Sequence, residues 1–485
     1  MEKKYEPLFT PWKIGNVEIK NRIVLCPMGG TSLFGWMSPN HFDRESAEFF
    51  MERAKNNVGL IIPGIAPLKD LIGGRWLYQN KKMFRELKEY MQEFHKTGAK
   101  LFVQLTAGFG RSFAITDALV PFVKHKFIGK LISPVMDLSY ACASPSKLPS
   151  RWAEGVMCRA LTLKEIKKII YAFAETSRLL KEAGVDGVEV HAVHEGYLLD
   201  QFTLKYTNHR TDEYGGSFEN RYRLPVEIVH AIKEKCGEDF PVSLRYSVVS
   251  KTKGFDSGAV PGEIYDEVGR NMSESEKAAA YLEKAGYDML NADNGTYDAW
   301  YWSHPPQYMP QNCNLEDVSH IKKFVNIPVV CAGRMTPDAG AEAVKTNQID
   351  AVGFARQFLV DGEWVTKLIE ERPQDIQPCI CCHNACFAMS HYKGVANDEA
   401  FDDVKHMARC ALNPTTMNGG KYKVVSRINV ESGEADIYAC ADSNDTQYCL
   451  KIYHRREQIS EEVHARLQHI RAPYIANLVA WGDFN

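Results

Sequence analysis

Thr162-Leu-Lys-Glu165-Ile166 … Gly184-Val-Asp-Gly-Val-Glu-Val190-His191-Ala-Val-His194-Glu195-Gly-Tyr197 reads as one helix running into one strand. Thr162 and Glu165 form a capping box, in which each side chain satisfies a backbone N–H that the first helical turn leaves unpaired. Ile166, Ile169, Ile170 and Phe173 then share one face at helical spacing. Gly184 supplies the residue that ends the helix. The valine-rich run that follows has the pattern of a strand buried on both faces. Outward from this unit the pattern recurs. Strands are expected at 22–26, 60–65, 100–105, 186–191, 241–247, 287–292, 328–333 and 350–355. Ser273-Glu-Ser-Glu276 repeats the capping box, with Gly286 as its stop, and Thr336-Pro337-Asp338 opens another helix with proline at its first position. Strand-then-helix units repeated in this way over roughly 350 residues suggest an α/β fold, a closed (β/α)8 TIM barrel. An open doubly wound sheet is the alternative. The barrel is favoured because chemically able residues cluster at the C-terminal ends of many different strands. Between strand three and its helix, 109–161 reads as an elaborated loop over that face.

Charge and composition narrow the class. A net charge of −3 over 485 residues gives no basic face for nucleic acid and no polybasic membrane anchor. Met1-Glu-Lys-Lys-Tyr-Glu-Pro-Leu-Phe9 lacks the apolar core of a signal peptide, and no apolar run is long enough to span a bilayer. The cytoplasm is the expected location.

Past the barrel the chain reads Cys379-Ile-Cys381-Cys382-His383-Asn384-Ala385-Cys386, then Met407-Ala-Arg-Cys410-Ala-Leu-Asn-Pro414. Cys379, Cys382, Cys386 and Cys410 give C-x2-C-x3-C and a distant fourth cysteine. Short spacings let one loop wrap three corners of a 4Fe–4S cluster while a remote thiolate closes the fourth. Structural zinc is the rival, although it more often uses two C-x2-C pairs. Cys381 is expected to be a bystander, and the eight scattered cysteines (26, 142, 158, 236, 313, 331, 440, 449) to be small buried hydrophobes.

His191, His194 and Tyr197 follow the expected strand four. Two imidazoles at a barrel mouth can bind and polarise a substrate carbonyl, and a nearby tyrosine can deliver a proton to carbon. A metal pair or a structural loop are the other readings; His-x-x-His without a third ligand is weak for zinc. Asp298 and His304 are candidates for a second acid, and Tyr297, Trp300, Tyr301 and Trp302 for the wall of a flat apolar pocket.

The continuation Leu198-Leu-Asp-Gln-Phe-Thr-Leu-Lys-Tyr-Thr-Asn208-His-Arg210-Thr-Asp212-Glu-Tyr-Gly215-Gly216-Ser217-Phe-Glu219-Asn220-Arg221 makes the chain resemble the Old Yellow Enzyme family of flavin oxidoreductases. Leu8-Phe9, Lys13-Ile-Gly-Asn16, Lys20-Asn-Arg-Ile-Val24, Pro27-Met28, Thr106-Ala-Gly-Phe-Gly-Arg111, Gly333-Arg334 and the cysteine motif extend the resemblance over residues 5 to 420. It is closest to the cluster-containing branch of 2,4-dienoyl-CoA reductases, 2-enoate reductases and bile-acid-inducible enzymes. The resemblance implies an FMN-binding barrel over 1–375 and a 4Fe–4S segment over 376–420. It implies that Pro27 and Met28 line the flavin ring, Gln104 meets its pyrimidine edge and Arg245 places positive charge near its N1 and O2. Gly333, Arg334, Ala355 and Arg356 would hold the phosphate. His191 and His194 would bind the substrate's carbonyl, and Tyr197 would be the proton donor. Glu195 lengthens the simplest family spacing by one residue, so the role of His194 stays open.

Relatives in this branch continue into dinucleotide-binding domains, whereas no Gly-x-Gly-x-x-Gly follows residue 420, so an FAD domain is not expected. Over 421–485 the tail resembles part of a protein-kinase N-lobe, a small α+β unit. Lys451 matches the strand-three lysine, Glu461 or Glu462 its partner, and Gly433 alone represents the glycine loop. A vestige, an interaction module and one end of a fused or truncated frame are all open readings of it. The resemblance implies an oxidoreductase acting on the C=C bond of an α,β-unsaturated carbonyl of enoate, enoyl-CoA, steroid or bile-acid type. NAD(P)H would be the electron donor, directly or through a partner protein, and a homo-oligomer is left open. A non-catalytic redox sensor and an amine dehydrogenase are the alternatives.

Overall fold

A computed structural model of the chain describes residues 1–35, 38–115, 119–125, 136–194, 196–383, 386, 409–410, 412–413, 416, 423–427, 435–441 and 447–453. It divides into two compact units, Met1–Ala408 and Arg409–Asn485.

The first unit is a closed parallel barrel. Its strands are β1 (Ile23–Leu25), β2 (Leu60–Ile61), β3 (Lys100–Thr106), β4 (Gly187–Val190), β5 (Val242–Ser247), β6 (Met289–Asp293), β7 (Val329–Ala332) and β8 (Ala351–Phe354). Each pairs in parallel with its neighbour in sequence. β8 returns to β1, with Gly353 opposite Val24, so no edge is left and the open sheet is excluded. All eight expected strands are present. Expected strand two is shorter than 60–65, because after Ile61 the chain leaves β2 and rejoins the sheet beside β3 at Ala66–Pro67.

Helices cover the outside: α1 (Arg44–Lys55), α2 (Lys81–Phe94), α3 (Leu163–Glu182), α4 (Arg223–Cys236), α5 (Met272–Ala285), α6 (Leu315–Ile321), α7 (Pro337–Lys345) and α8 (Trp364–Ile369). The Thr162–Glu165 box caps α3 as expected, and Ile166, Ile169 and Phe173 are buried beneath it. Thr336 caps α7, with Pro337 in its first turn. The second box is corrected. Asn271, not Ser273, caps α5, its side chain accepting from the Glu274 N–H at 2.9 Å. Gly286 ends that helix in the left-handed region at φ 114°.

An antiparallel hairpin, Trp12–Ile14 with Val17–Ile19, precedes β1. Its Trp12, Ile14 and Ile19 pack against Val24, Leu60, Phe102, Met289 and Ala351 and so plug the N-terminal end of the barrel. The C-terminal end stays open for a site. The long segment after β3 has a small core of its own, built from Ile115, Cys142, Ala153, Val156 and Cys158. Among the described residues no helix is long and apolar enough to cross a membrane.

In the second unit, Lys423–Arg427, Ala435–Ala441 and Gln447–Tyr453 form an antiparallel three-stranded meander. Lys451 lies on its third strand opposite Ile437; Gly433, Glu461 and Glu462 fall outside the described residues. Six of the eight scattered cysteines are buried, but Cys313 is half-buried and Cys449 is exposed on the last strand of the meander.

Candidate active site

The strand ends position the site. Gln104 stands in register with Glu189, and Arg245 with Asn291, so β3 to β6 present a continuous polar floor. Glu189 is its hub. Its carboxylate accepts from the Gln104 amide at 2.8 Å, from Ser243 at 2.9 Å and from Asn291 at 3.0 Å. Burial raises the Glu189 carboxyl above its usual range, against the pull of Arg245 and these donors. Arg245 donates to the Asn291 side chain at 2.9 Å and to Asp293 at 2.5 Å.

The loop after β4 carries the imidazoles. His191 Nε2 and His194 Nδ1 are 3.0 Å apart, and His194 Nε2 is 2.9 Å from Asp293 Oδ1. Between them Val193 sits at φ 50°, a left-handed conformation that is strained for a β-branched residue. Tyr197 packs on His191, with ring centroids 4.2 Å apart, and its hydroxyl meets that of Tyr297 at 2.9 Å. Ile65, Tyr197 and Tyr297 form one buried apolar cluster, with Phe109 and Trp152 against it. Glu195 lies outside the described residues.

One cavity of about 290 Å³ brings these groups together. The residues that the family resemblance implied for the flavin, together with the imidazole pair and Tyr197, line it: Pro27, Met28, Gln104, His191, His194, Tyr197, Arg245, Gly333, Arg334, Ala355 and Arg356. At the β7 and β8 side the donor set suits a phosphate. Gly333 has φ 124°, and a Cβ there would stand 2.2 Å from Asn314 Nδ2, so only glycine lets the backbone approach. Arg334 donates to the carbonyls of Pro306, Gln307 and Met309; Arg356 donates to the Pro305 carbonyl and to His383 Nε2. Each guanidinium carries more N–H groups than these acceptors use. A long polar ligand with an anionic end fits this lining, as FMN requires.

The remaining expectations divide. His304 lines the cavity. Asp298 does not; its carboxylate is taken by Arg111 at 2.9 and 3.1 Å and by the Tyr206 hydroxyl at 2.9 Å, which makes it an anchor for the loop. The aromatic wall is also corrected, since none of Tyr297, Trp300, Tyr301 and Trp302 lines the cavity. Trp302 packs on Ala299 and Met309 and donates to the Ala259 carbonyl at 2.7 Å, and the Tyr297 hydroxyl is hydrogen-bonded to that of Tyr197. Asp293 and Glu189 were missed by the sequence reading. The signal for Glu189 was an acidic residue inside an otherwise apolar strand, and that for Asp293 an acidic residue at a strand's C-terminal end.

Cys379, Cys381 and Cys386 line the cavity beside Arg356, while Cys382 is exposed. The hydrogen bond from Cys379 holds the Cys381 thiol below its usual range, with Arg356 and Arg334 adding positive charge. Cys410, in the second unit, donates its N–H to Thr416 Oγ1 at 2.8 Å. Among the described residues no three His, Cys, Asp or Glu side chains form a ligand group.

A parallel barrel whose open end combines an arginine-rich anion cradle with an imidazole pair and a tyrosine defines an oxidoreductase barrel of the flavin type. Residues 7–375 match the model of the NADH:flavin oxidoreductase / NADH oxidase family, and the chain belongs to that family. It is 41% identical over 422 residues to a cinnamate reductase of Clostridium sporogenes, covering 85% of this chain and 58% of that protein. It is 29% identical over 469 residues to an NADH oxidase of Thermoanaerobacter brockii, covering 94% and 64% respectively. The chain thus spans less than two thirds of the length of either relative. A solved 2-naphthoyl-CoA reductase shares the fold with a TM-score of 0.69 at 23% identity, over 87% of this chain and 60% of that one. The Old Yellow Enzyme homologue of Zymomonas mobilis shares it with a TM-score of 0.55 at 23% identity, over 76% and 93%.

Proposed function

We propose that the chain binds FMN and reduces the C=C bond of an α,β-unsaturated carbonyl compound of aryl-enoate type, with NAD(P)H as the source of electrons and the cytoplasm as its place of action. The observation that carries this reading is the convergence of His191, His194 and Tyr197 on the cavity that also holds Gln104, Arg245, Arg334 and Arg356. FMN, when bound, supplies a hydride to the β-carbon. The chain supplies the rest. His191 and His194 hold the carbonyl or carboxylate oxygen, where negative charge develops as hydride arrives. Tyr197 gives its proton to the α-carbon. Gln104 and Arg245 hold the pyrimidine edge of the flavin, and Gly333, Arg334, Ala355 and Arg356 its phosphate. The relative named as a cinnamate reductase supports an aryl substrate, as do Ile65, Phe109 and Trp152 around Tyr197.

Cofactor extraction and stopped-flow test this together. One FMN per chain, with the reduced flavin reoxidised anaerobically by cinnamate, is the expected result. Bound flavin that no enoate reoxidises would sink the reaction assignment. The cysteine spacing supports a 4Fe–4S cluster held by Cys379, Cys382, Cys386 and Cys410. Anaerobic protein is expected to carry iron that Cys382→Ser loses and Cys381→Ser keeps. Equal loss in both variants refutes this ligand register, and stoichiometric zinc without iron refutes the cluster.

A further inference from the structure

We propose that Glu189 is a positioning residue of the flavin site: from behind the cavity its carboxyl group sets which end of the Gln104 amide faces a bound flavin. Glu189 stands in register with Gln104 on β3 and with Ser243 on β5, and it is fully buried. Gln104 lines the cavity, whereas Glu189 does not. Glu189 Oε1 accepts from Gln104 Nε2 at 2.8 Å, and Oε2 accepts from Ser243 Oγ at 2.9 Å and from Asn291 Nδ2 at 3.0 Å. The Asn291 amide has one orientation open to it, because the Arg245 guanidinium, which only donates, meets its Oδ1 at 2.9 Å. Asn291 therefore turns its NH2 to Glu189. Ser243 Oγ is able to accept as well as donate, so a proton on the carboxyl group has a place at Oε2 that leaves Oε1 an acceptor. Gln104 then gives its NH2 to Oε1. Its carbonyl oxygen, for which the described residues offer no partner, is left for the cavity.

The orientation decides what the amide can bind. The pyrimidine edge of a flavin presents the N3–H donor between two carbonyl acceptors. An amide with its oxygen opposite N3, and its second N–H beside a flavin carbonyl, makes two hydrogen bonds with that edge. The flipped amide sets donor against donor and acceptor against acceptor, and a glutamine alone has no preference between the two. Amide substitution at Glu189 makes this sharp. Asn291 Nδ2 lies nearer Oε2 than Oε1, at 3.0 against 3.3 Å, so in Glu189→Gln the new amide keeps its oxygen at the Oε2 position. Its NH2 then faces Gln104, which flips to accept it and turns its own NH2 to N3. The alternative is that Glu189 only ties β4 to β5 and β6 through Ser243 and Asn291. A tie of that kind predicts lost stability and an unchanged Gln104.

The part played by N3 rests on the FMN reading proposed above, but the orientation of the amide does not. Nitrogen-15 NMR of the chain labelled at its glutamine side chains, without flavin, reads that orientation, with the Gln104 signals assigned through Gln104→Met. The wild-type chain is expected to show one Gln104 amide proton well downfield of the range of exposed glutamines, as donation to a buried carboxyl oxygen requires. Both protons within that range overturn the proposal, and no Glu189 variant has to fold for this result. FMN affinity, read by quenching of flavin fluorescence, tests the consequence. Glu189→Gln should weaken FMN by roughly tenfold, the scale of one lost hydrogen bond. In a Gln104→Met background the same change should have no further effect. Equal weakening in both backgrounds, which a purely structural tie predicts, overturns action through Gln104. A wild-type chain that shows the expected amide signal yet binds no FMN refutes the proposed function and leaves the orientation standing.

Discussion

Val193 is held at φ 50°, where a β-branched side chain costs roughly 1–3 kcal/mol. The strain is held by a contact from elsewhere in the barrel, the Ser247 N–H donating to the Val193 carbonyl at 2.8 Å. The turn it forces brings the two imidazole rings to a centroid separation of 5.2 Å. Tyr197, four residues after Val193, is buried at 3% exposure, and its hydroxyl is hydrogen-bonded to that of Tyr297. Tyr197→Phe should therefore leave flavin reduction unchanged and slow reoxidation by an enoate by roughly 10²–10⁴, the usual contribution of a positioned acid. Stopped-flow of the two half-reactions separates this from a packing defect, which slows both. Asp70 makes a different prediction. Burial raises its carboxyl to about 6, although it accepts the Asn40 N–H at 2.9 Å. The folded state therefore holds a proton that the unfolded state releases near 3.8, and stability falls as pH rises from about 4 to about 6. Asp70→Asn keeps the acceptor and removes the charge. Its melting temperature should exceed that of the parent at pH 7.5, and the gain should vanish at pH 4. An equal difference at both pH values would exclude Asp70 as the titrating group.

Between elements one tie joins Arg270 to Asp200, both fully buried. Arg270 donates to Asp200 Oδ1 at 2.5 Å, Thr203 Oγ1 at 2.6 Å, the Ser247 carbonyl at 2.8 Å and the Tyr222 hydroxyl at 2.9 Å. The other Asp200 oxygen accepts the Gly196 N–H at 2.9 Å. The segment before α5 thereby holds the loop that carries Tyr197. Arg270→Ala should cost about 3–5 kcal/mol in urea titration, because it strands a buried carboxylate. Asp200→Ala in addition should cost less than a second such loss, and full additivity would show that the pair is not coupled. This tie also explains the displaced helix cap. Asn271 and Ser273 are both able to cap, and local sequence does not choose between them. With Arg270 fixed in the core, Asn271 is the first residue that leaves it, at φ −86° and ψ 173°, and it takes the cap.

At the scale of the whole molecule, every described residue lining the cavity belongs to the first compact unit, and the family match ends at residue 375. A chain ending at Gly420 should therefore bind FMN with the affinity of the 485-residue chain, read by quenching of flavin fluorescence. Lost binding would make the tail part of the barrel. The sequence by itself determined the eight strands, their order and the end that carries chemistry. Buried parallel strands are rich in apolar residues, and the helices after β3 and β7 announce themselves through caps at Thr162 and Thr336. Through the family resemblance it also pointed to several of the residues that line the cavity, which lie at strand ends, where barrel sites are built. Tertiary structure alone decided which polar groups meet across strands. His194 and Asp293 are 99 residues apart, Arg111 and Asp298 187, and Gln104 and Glu189 85. Nothing local distinguishes an aspartate that anchors a loop from one that stands beside an imidazole. Asp298, expected as a second acid, anchors a loop, and Asp293 was not singled out at all. The aromatic run at 297–302 misled in the same way. Composition shows that such side chains must be buried, but only closure of the barrel and the packing of its loops decide which face they cover.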